Sequence, residues 1–184
     1  MLNDLIDISY ANSFDEDLYI INGFGEITSY INEEAVELDK TTHIGSIFYR
    51  FYNTYEFADD LSIVISADAI SGEEEYMMYT LLKGDHGYDL DYGGKVVTLD
   101  RIIIENKYYN EELERLILKK FISYCSYLMF DYIVVIATPP ITPNDSKGVI
   151  EFPQLKMYEN FHFVNLGGTE KRAPVMVKNL NLKD

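Results

Sequence analysis

The strongest periodic signal lies in the second half of the chain. Lys95–Ile104 (KVVTLDRIII) is rich in β-branched residues and predicts a strand. Asn110 stands where a cap belongs, ahead of a helix from Glu111 to about Phe130. Within it Leu113, Leu116, Ile117, Phe121, Tyr124, Cys125 and Leu128 form one helical stripe. Tyr132–Ala137 (YIVVIA) is the unbroken apolar run of a strand covered on both faces. The segment from Pro139 to Pro153 holds four of the chain's five prolines and predicts a loop. A short helix over Gln154–Phe161 follows, then strands His162–Leu166 and Pro174–Leu180 around the turn GGTEKR.

The first half has a weaker pattern. Leu18–Asn22 (LYIIN) predicts a short strand ended by Gly23, and Glu26–Ile31 suggests another. Glu34–Asp39 and His43–Asn53 predict a hairpin around DKTT. Phe57–Ile65 fits either a helix or a strand. Ser71-Gly-Glu-Glu74 has capping-box spacing ahead of Tyr76, Met77, Tyr79, Leu81 and Leu82, which predicts a helix ending near Lys83. The glycines and aspartates of residues 84–94 (GDHGYDLDYGG) predict a loop. Strands and helices alternate, so the fold class is α/β (α+β), a central mixed sheet flanked by helices.

Charge adds a sharper feature. The net charge is −16 over 184 residues. Residues 1–95 carry 20 acids and 4 bases, and residues 96–184 carry 11 of each, so the excess lies wholly in the first half. Such a surface repels nucleic acid and anionic membranes at long range and attracts basic surfaces. Asp59, Asp60, Asp68, Glu73, Glu74 and Glu75 are the candidate partner-binding face, with Asp15, Glu16 and Asp17 beside them. Tyr49, Tyr52, Tyr55, Tyr76 and Tyr79 are its candidate anchors or, alternatively, core residues. No apolar run reaches the ~18 residues of a membrane span, and the acidic start lacks a secretory signal's pattern. One cysteine, Cys125, gives no internal disulfide. These features lead us to expect a cytoplasmic protein.

The order strand, helix, strand, short helix, hairpin over residues 95–180 resembles the C-terminal half of the GNAT (GCN5-related N-acetyltransferase) superfamily. Leu155-Lys-Met-Tyr158-Glu-Asn-Phe-His-Phe163 is similar to the family segment L-x-x-F/Y-Y-E/K-x-x-G-F, with His162 in the glycine's place. The link before the long helix should read P-x-Y-R-G-x-G-L-G-x-x-L-L. It reads Asn106-Lys-Tyr108-Tyr109-Asn110-Glu111-Glu112-Leu113-Glu114-Arg115-Leu116-Ile117. Tyr109 replaces the arginine, and Asn110, Glu112 and Glu114 replace glycines. The resemblance implies one GNAT-like domain over 1–184, with an acidic half (1–94) and a cofactor-type half (95–184).

In the family, free N–H groups at this helix start hold the acetyl-CoA diphosphate, and glycines let it approach. Here Glu111, Glu112 and Glu114 occupy the first turn, where they favour the positive end of the helix dipole. A diphosphate 4 Å from one such carboxylate is opposed by about 4 kcal/mol at an effective dielectric near 20. No cofactor is therefore expected. If acetyl-CoA does bind, the resemblance implies that backbone groups of Ile103, Ile104 and Glu105 hold its pantetheine arm and that Tyr158 protonates the leaving thiolate.

Other candidate chemistry is thin. Asp100 and Glu105 are candidate general bases. Asp85, His86, Asp89 and Asp91 place oxygen ligands in one loop, without the spacing of a known calcium loop. His43 and His162 stand alone, Cys125 reads as core, and no metal site is predicted. The expected function is a non-catalytic GNAT-like protein that docks on a basic partner. Because degenerate GNAT-like proteins are found on phages and mobile elements, an inhibitor of a nucleic-acid-binding protein, acting in anti-defence, is one form this takes. The alternative is an active N-acetyltransferase with an atypical loop.

Overall fold

The computed structural model describes residues 6–83, 94–137, 153–169 and 172–182. Asp85, His86, Asp89 and Asp91, and most of the proline-rich segment, lie outside the described residues. The element order is β1 (Ile6–Asp15), β2 (Ile20–Ser29), α1 (Glu33–Glu37), β3 (Thr42–Asn53), α2 (Asp60–Asp68), α3 (Gly72–Lys83), β4 (Lys95–Ile104), α4 (Glu111–Tyr127), β5 (Tyr132–Ile136), α5 (Pro153–Asn160), β6 (Val164–Thr169) and β7 (Arg172–Asn179).

The seven strands form one sheet in the order β1-β2-β3-β4-β5-β7-β6. Neighbours are antiparallel except β4 and β5, which run parallel through the long α4 crossover. Each face of the sheet carries its own core. Leu113, Ile117, Leu118 and Phe121 of α4 join Met157 and Tyr158 of α5 over Val97, Leu99, Ile133 and Val135. On the other face Ile63 and Ala67 of α2 join Met77, Met78 and Leu81 of α3 over Val96, Val134, Val175 and Val177. Both faces of β4 and β5 are thus covered, which is why their sequences read as continuous apolar runs. Each large apolar side chain buried here stabilises the fold by about 1.5–3 kcal/mol.

The helix ends follow local chemistry. Asn110 Oδ1 accepts from the Leu113 N–H at 2.8 Å and starts α4. Met129, at φ 57°, turns the chain away two residues past α4's end. Asp59 and Ser62 form a reciprocal capping box at α2, which decides the ambiguous 57–65 segment in favour of a helix.

Two expectations for the first half need correction, and one strand was not anticipated. Glu34–Asp39 is not a hairpin strand: the Asn32 side chain accepts from the Ala35 N–H at 2.8 Å and nucleates α1 instead. Gly23 does not end a strand. It lies inside β2 opposite Tyr49, whose ring passes where a Cβ would stand, 1.8 Å away. Residues 6–15, which show no clear strand signal, form the edge strand β1.

Candidate functional site

β4 pairs with β5 only from Val96↔Tyr132 to Leu99↔Val135, and then runs on to Ile104 without it. A bulge lies at the point of parting, because Tyr49 pairs with Leu99 and Phe48 with Arg101, leaving Asp100 extra. Beyond it no strand among the described residues pairs with the β5-facing edge of β4. The Glu105 N–H is turned the other way and donates to Ile44 O at 2.9 Å. Strand alternation then puts the Ile104 amide on the open side, while the Ile103 carbonyl crowds Gly45 of β3. Of Ile103, Ile104 and Glu105, Ile104 is the one that offers an N–H to the opening.

The link into α4 and the start of that helix already hold three of their amides. Tyr108 and Tyr109 N–H both donate to Glu105 O, at 2.8 and 3.1 Å, and Leu113 N–H is held by Asn110. Glu111 and Glu112 are exposed beside them. Glu114 departs from the expected picture. Rather than facing outward with charge, it is turned inward and is 7% exposed. The Tyr109 hydroxyl donates to its Oε2 at 3.1 Å and the Gln154 amide to its Oε1 at 2.9 Å. Burial raises its pKa above the ordinary carboxylate value, against the pull of these two donors. Tyr109, which the resemblance sets in the arginine's position, thus ties down Glu114, which it sets in a glycine's position, and Gln154 extends the tie to α5.

Tyr158 is buried under α5, with its ring edge-on to Phe163 at 5.2 Å. Burial, and secondly Glu114, push its phenol further from ionising. His162 ends α5 at φ 60°, the left-handed conformation that a glycine adopts freely.

Neither candidate base is unencumbered. Asp100 faces two guanidiniums, Arg101 at 3.1 Å and Arg50 at 3.7 Å. Glu105 faces Lys107 at 3.1 Å and His43 at 3.5 Å, and Lys107 above all holds its carboxyl below the usual range. His43 also lies 3.3 Å from Ser46 Oγ. Cys125 is buried in the α4 core, and burial raises its thiol. Among the described residues no cluster of His, Cys, Asp and Glu could hold a metal.

The predicted acidic face loses one member. Glu74 is 1% exposed and accepts from Arg50 Nη1 at 2.9 Å, from the Tyr52 hydroxyl at 2.9 Å and from Thr98 Oγ1. Burial raises its pKa, opposed by Thr98, Arg50 and Tyr52 in that order. It fastens α3 to β3 and β4 and cannot meet a partner. Asp59, Asp68 and Glu73 are exposed, Glu75 is half-buried, and Asp60 pairs with Lys83 at 3.5 Å. Of the anchor tyrosines, Tyr49 and Tyr52 are core, Tyr76 is half-buried, and Tyr55 and Tyr79 stand in solvent. The Asp15–Asp17 turn reaches α2 through Leu18, whose carbonyl accepts from Ser66 Oγ at 2.7 Å.

Sequence reasoning missed Gln154 and the Arg50–Glu74–Thr98 cluster. The latter left one signal, a lone arginine inside the run IFYRFY of β3. Gln154 left none, because its partner is 40 residues away. A mostly apolar groove of about 350 Å³ crosses β1–β3, lined by residues including Ala11, Ser13, Asn22, Phe24, Phe48 and Arg50.

Compared with known proteins, the sequence matches no family and no curated protein. The fold does match. The crystal structure of mosquito arylalkylamine N-acetyltransferase like 5b superposes with a TM-score of 0.51 at 10% identity, over 85% of this chain and 74% of that one. Arylalkylamine N-acetyltransferase 2 from Aedes aegypti gives 0.49 at 10% identity, over 85% and 73%. Arabidopsis thaliana NAA60, solved in complex with acetyl-CoA, gives 0.45 at 12%, over 95% and 99%. This chain has the GNAT fold. Among the described residues no helix is long and apolar enough to cross a membrane.

Proposed function

Starting from a GNAT fold, we propose that this chain does not bind acetyl-CoA and serves as an acidic binding protein for a basic protein partner, such as the nucleic-acid-contacting surface of another protein. The observation that carries the first half is the Tyr109–Glu114–Gln154 tie, which stands beside the link amides of Tyr108 and Tyr109, paired with Glu105, and the Leu113 amide, paired with Asn110. A diphosphate arriving there finds few free donors and the exposed carboxylates of Glu111 and Glu112. Without diphosphate contacts, the open edge of β4 and the buried Tyr158 have no cofactor to act on. The second half rests on charge, since residues 1–95 hold the whole of the net −16.

The opening between β4 and β5, with its bulge at Asp100, favours a second reading. It is the part of the fold best suited to an extended ligand arm, and an active N-acetyltransferase would use it. The two readings part in one assay. The purified chain is incubated with labelled acetyl-CoA and a mixture of polyamines and lysine peptides, and separately titrated with poly-lysine over a salt series. Our reading expects no acetyl transfer, with poly-lysine binding that weakens steeply as salt rises. Catalytic turnover of any amine would establish the second reading. Salt-independent or absent poly-lysine binding would remove the basic partner.

A further inference from the structure

The helices α2 and α3 form an antiparallel hairpin over one face of the sheet, and the Asp60–Lys83 ion pair at 3.5 Å fixes their register. That pairing sets Tyr79, one turn before Lys83, beside the middle of α2. The inner sides are buried through Ile63, Val64, Ala67, Met77, Met78 and Leu81. What they leave outward is not the polar face of an ordinary surface helix. Leu61 is 62% exposed, Ile65 60% and Tyr79 53%. Leu61 and Ile65 are one turn apart on α2, so their two large apolar side chains stand together in solvent. Around them stand exposed Asp59, Asp68 and Glu73, and Lys83 is the single base between residues 59 and 83.

We infer that the outer face of the α2–α3 hairpin is the docking site for a lysine- and arginine-rich amphipathic helix of a partner protein. The inference rests on the acidic-binding reading and gives it a place and a partner chemistry. The partner's apolar side chains cover Leu61, Ile65 and Tyr79 in the manner of a helix laid in a groove, and its cations meet Asp59, Asp68 and Glu73. A second copy of this chain is disfavoured as occupant, because the same acids would face one another. Leu18, bound to Ser66, brings the acidic Asp15–Asp17 turn to the same hairpin and extends the negative field.

The test uses a fluorescent synthetic amphipathic helix of leucine and lysine, about 18 residues long, and a scrambled control of the same composition. Anisotropy gives its affinity for the full chain at low and physiological salt. Saturable one-to-one binding is expected. Leu61→Ser with Ile65→Ser should weaken it at least about tenfold, since both are exposed anchors and their loss spares the core. Asp59→Asn, Asp68→Asn and Glu73→Gln together should weaken it and flatten its salt dependence, because the amide introduced by Asp59→Asn still caps α2. Asp7→Asn with Glu159→Gln, on β1 and α5, should change it less than about twofold. Binding that ignores Leu61→Ser/Ile65→Ser, or that treats the scrambled peptide equally, would overturn the hairpin site while leaving a diffuse acidic surface. No binding at low salt would overturn both. A wild-type dimer that Leu61→Ser/Ile65→Ser dissociates would assign the face to self-association and overturn the inference.

Discussion

Glu74 and Glu114 occupy equivalent places in two helices. Each lies in the first turn of a helix that opens on three acids, Glu73–Glu75 in α3 and Glu111, Glu112 and Glu114 in α4. In each helix one of the three is turned inward and buried. The surroundings then diverge. Glu74 meets a cation, Arg50, and two hydroxyls that project from the sheet beneath it. Glu114 meets two neutral donors, Tyr109 and Gln154, and no ion pair to it is formed among the described residues. The first is a cross-link between a helix and the sheet, and its removal leaves two buried hydroxyls without their acceptor and the part-buried Arg50 with only Asp100 at 3.7 Å. The second closes the corner between α4 and α5, in the place where the GNAT resemblance implies a diphosphate. A buried glutamate with a cation is part of the scaffold. A buried glutamate without one, where the resemblance implies a diphosphate, is what the proposed function takes to exclude the cofactor.

Substitutions at the two glutamates test this contrast. Glu74→Ala is expected to have the largest effect, about 3–5 kcal/mol of lost stability in urea unfolding, because the buried Tyr52 and Thr98 hydroxyls lose their acceptor and Arg50 keeps only the more distant Asp100. Glu114→Ala should cost less, about 1–3 kcal/mol, since the groups left behind are neutral. Equal losses at the two positions would dissolve the distinction between cross-link and closure.

The pH dependence sharpens it further. Glu114 has a raised folded pKa, so between the ordinary value of 4.5 and that raised value the folded chain binds more protons than the unfolded one. Stability therefore falls as pH rises through this window and does not recover above it. Glu114→Gln should reduce that slope, read as urea midpoints across the window. Glu74, shifted in the same direction, adds to the slope. The smallest effect is at His162, where glycine relieves left-handed strain. His162→Gly should stabilise the chain by up to about 1 kcal/mol, seen as a modest rise in Tm.

The second half of the fold was legible because α4, β4 and β5 carry strong local signals. A capped amphipathic stripe and two runs covered on both faces need no knowledge of distant partners. The first half was less so. β1 alternates weakly as an edge strand, and Gly23 reads as a stop when its real role, making room for Tyr49, depends on a residue in β3. The site was legible as chemistry and not as geometry. That Tyr109 and Glu114 replace an arginine and a glycine could be read from the chain. That Glu114 turns inward to meet Tyr109 and Gln154 could not, because a first-turn glutamate ordinarily faces solvent. The same limit put Glu74 on the acidic surface when its burial is set by Arg50, Tyr52 and Thr98 in two other elements.

Calorimetric titration of the purified chain with acetyl-CoA tests the closed diphosphate site most directly. We predict no saturable heat up to about 1 mM ligand, the concentration scale of a roughly −4 kcal/mol interaction, and measurable binding once Tyr109→Arg, Glu112→Gly and Glu114→Gly are combined. One-to-one binding of the wild-type chain at micromolar concentrations would contradict it.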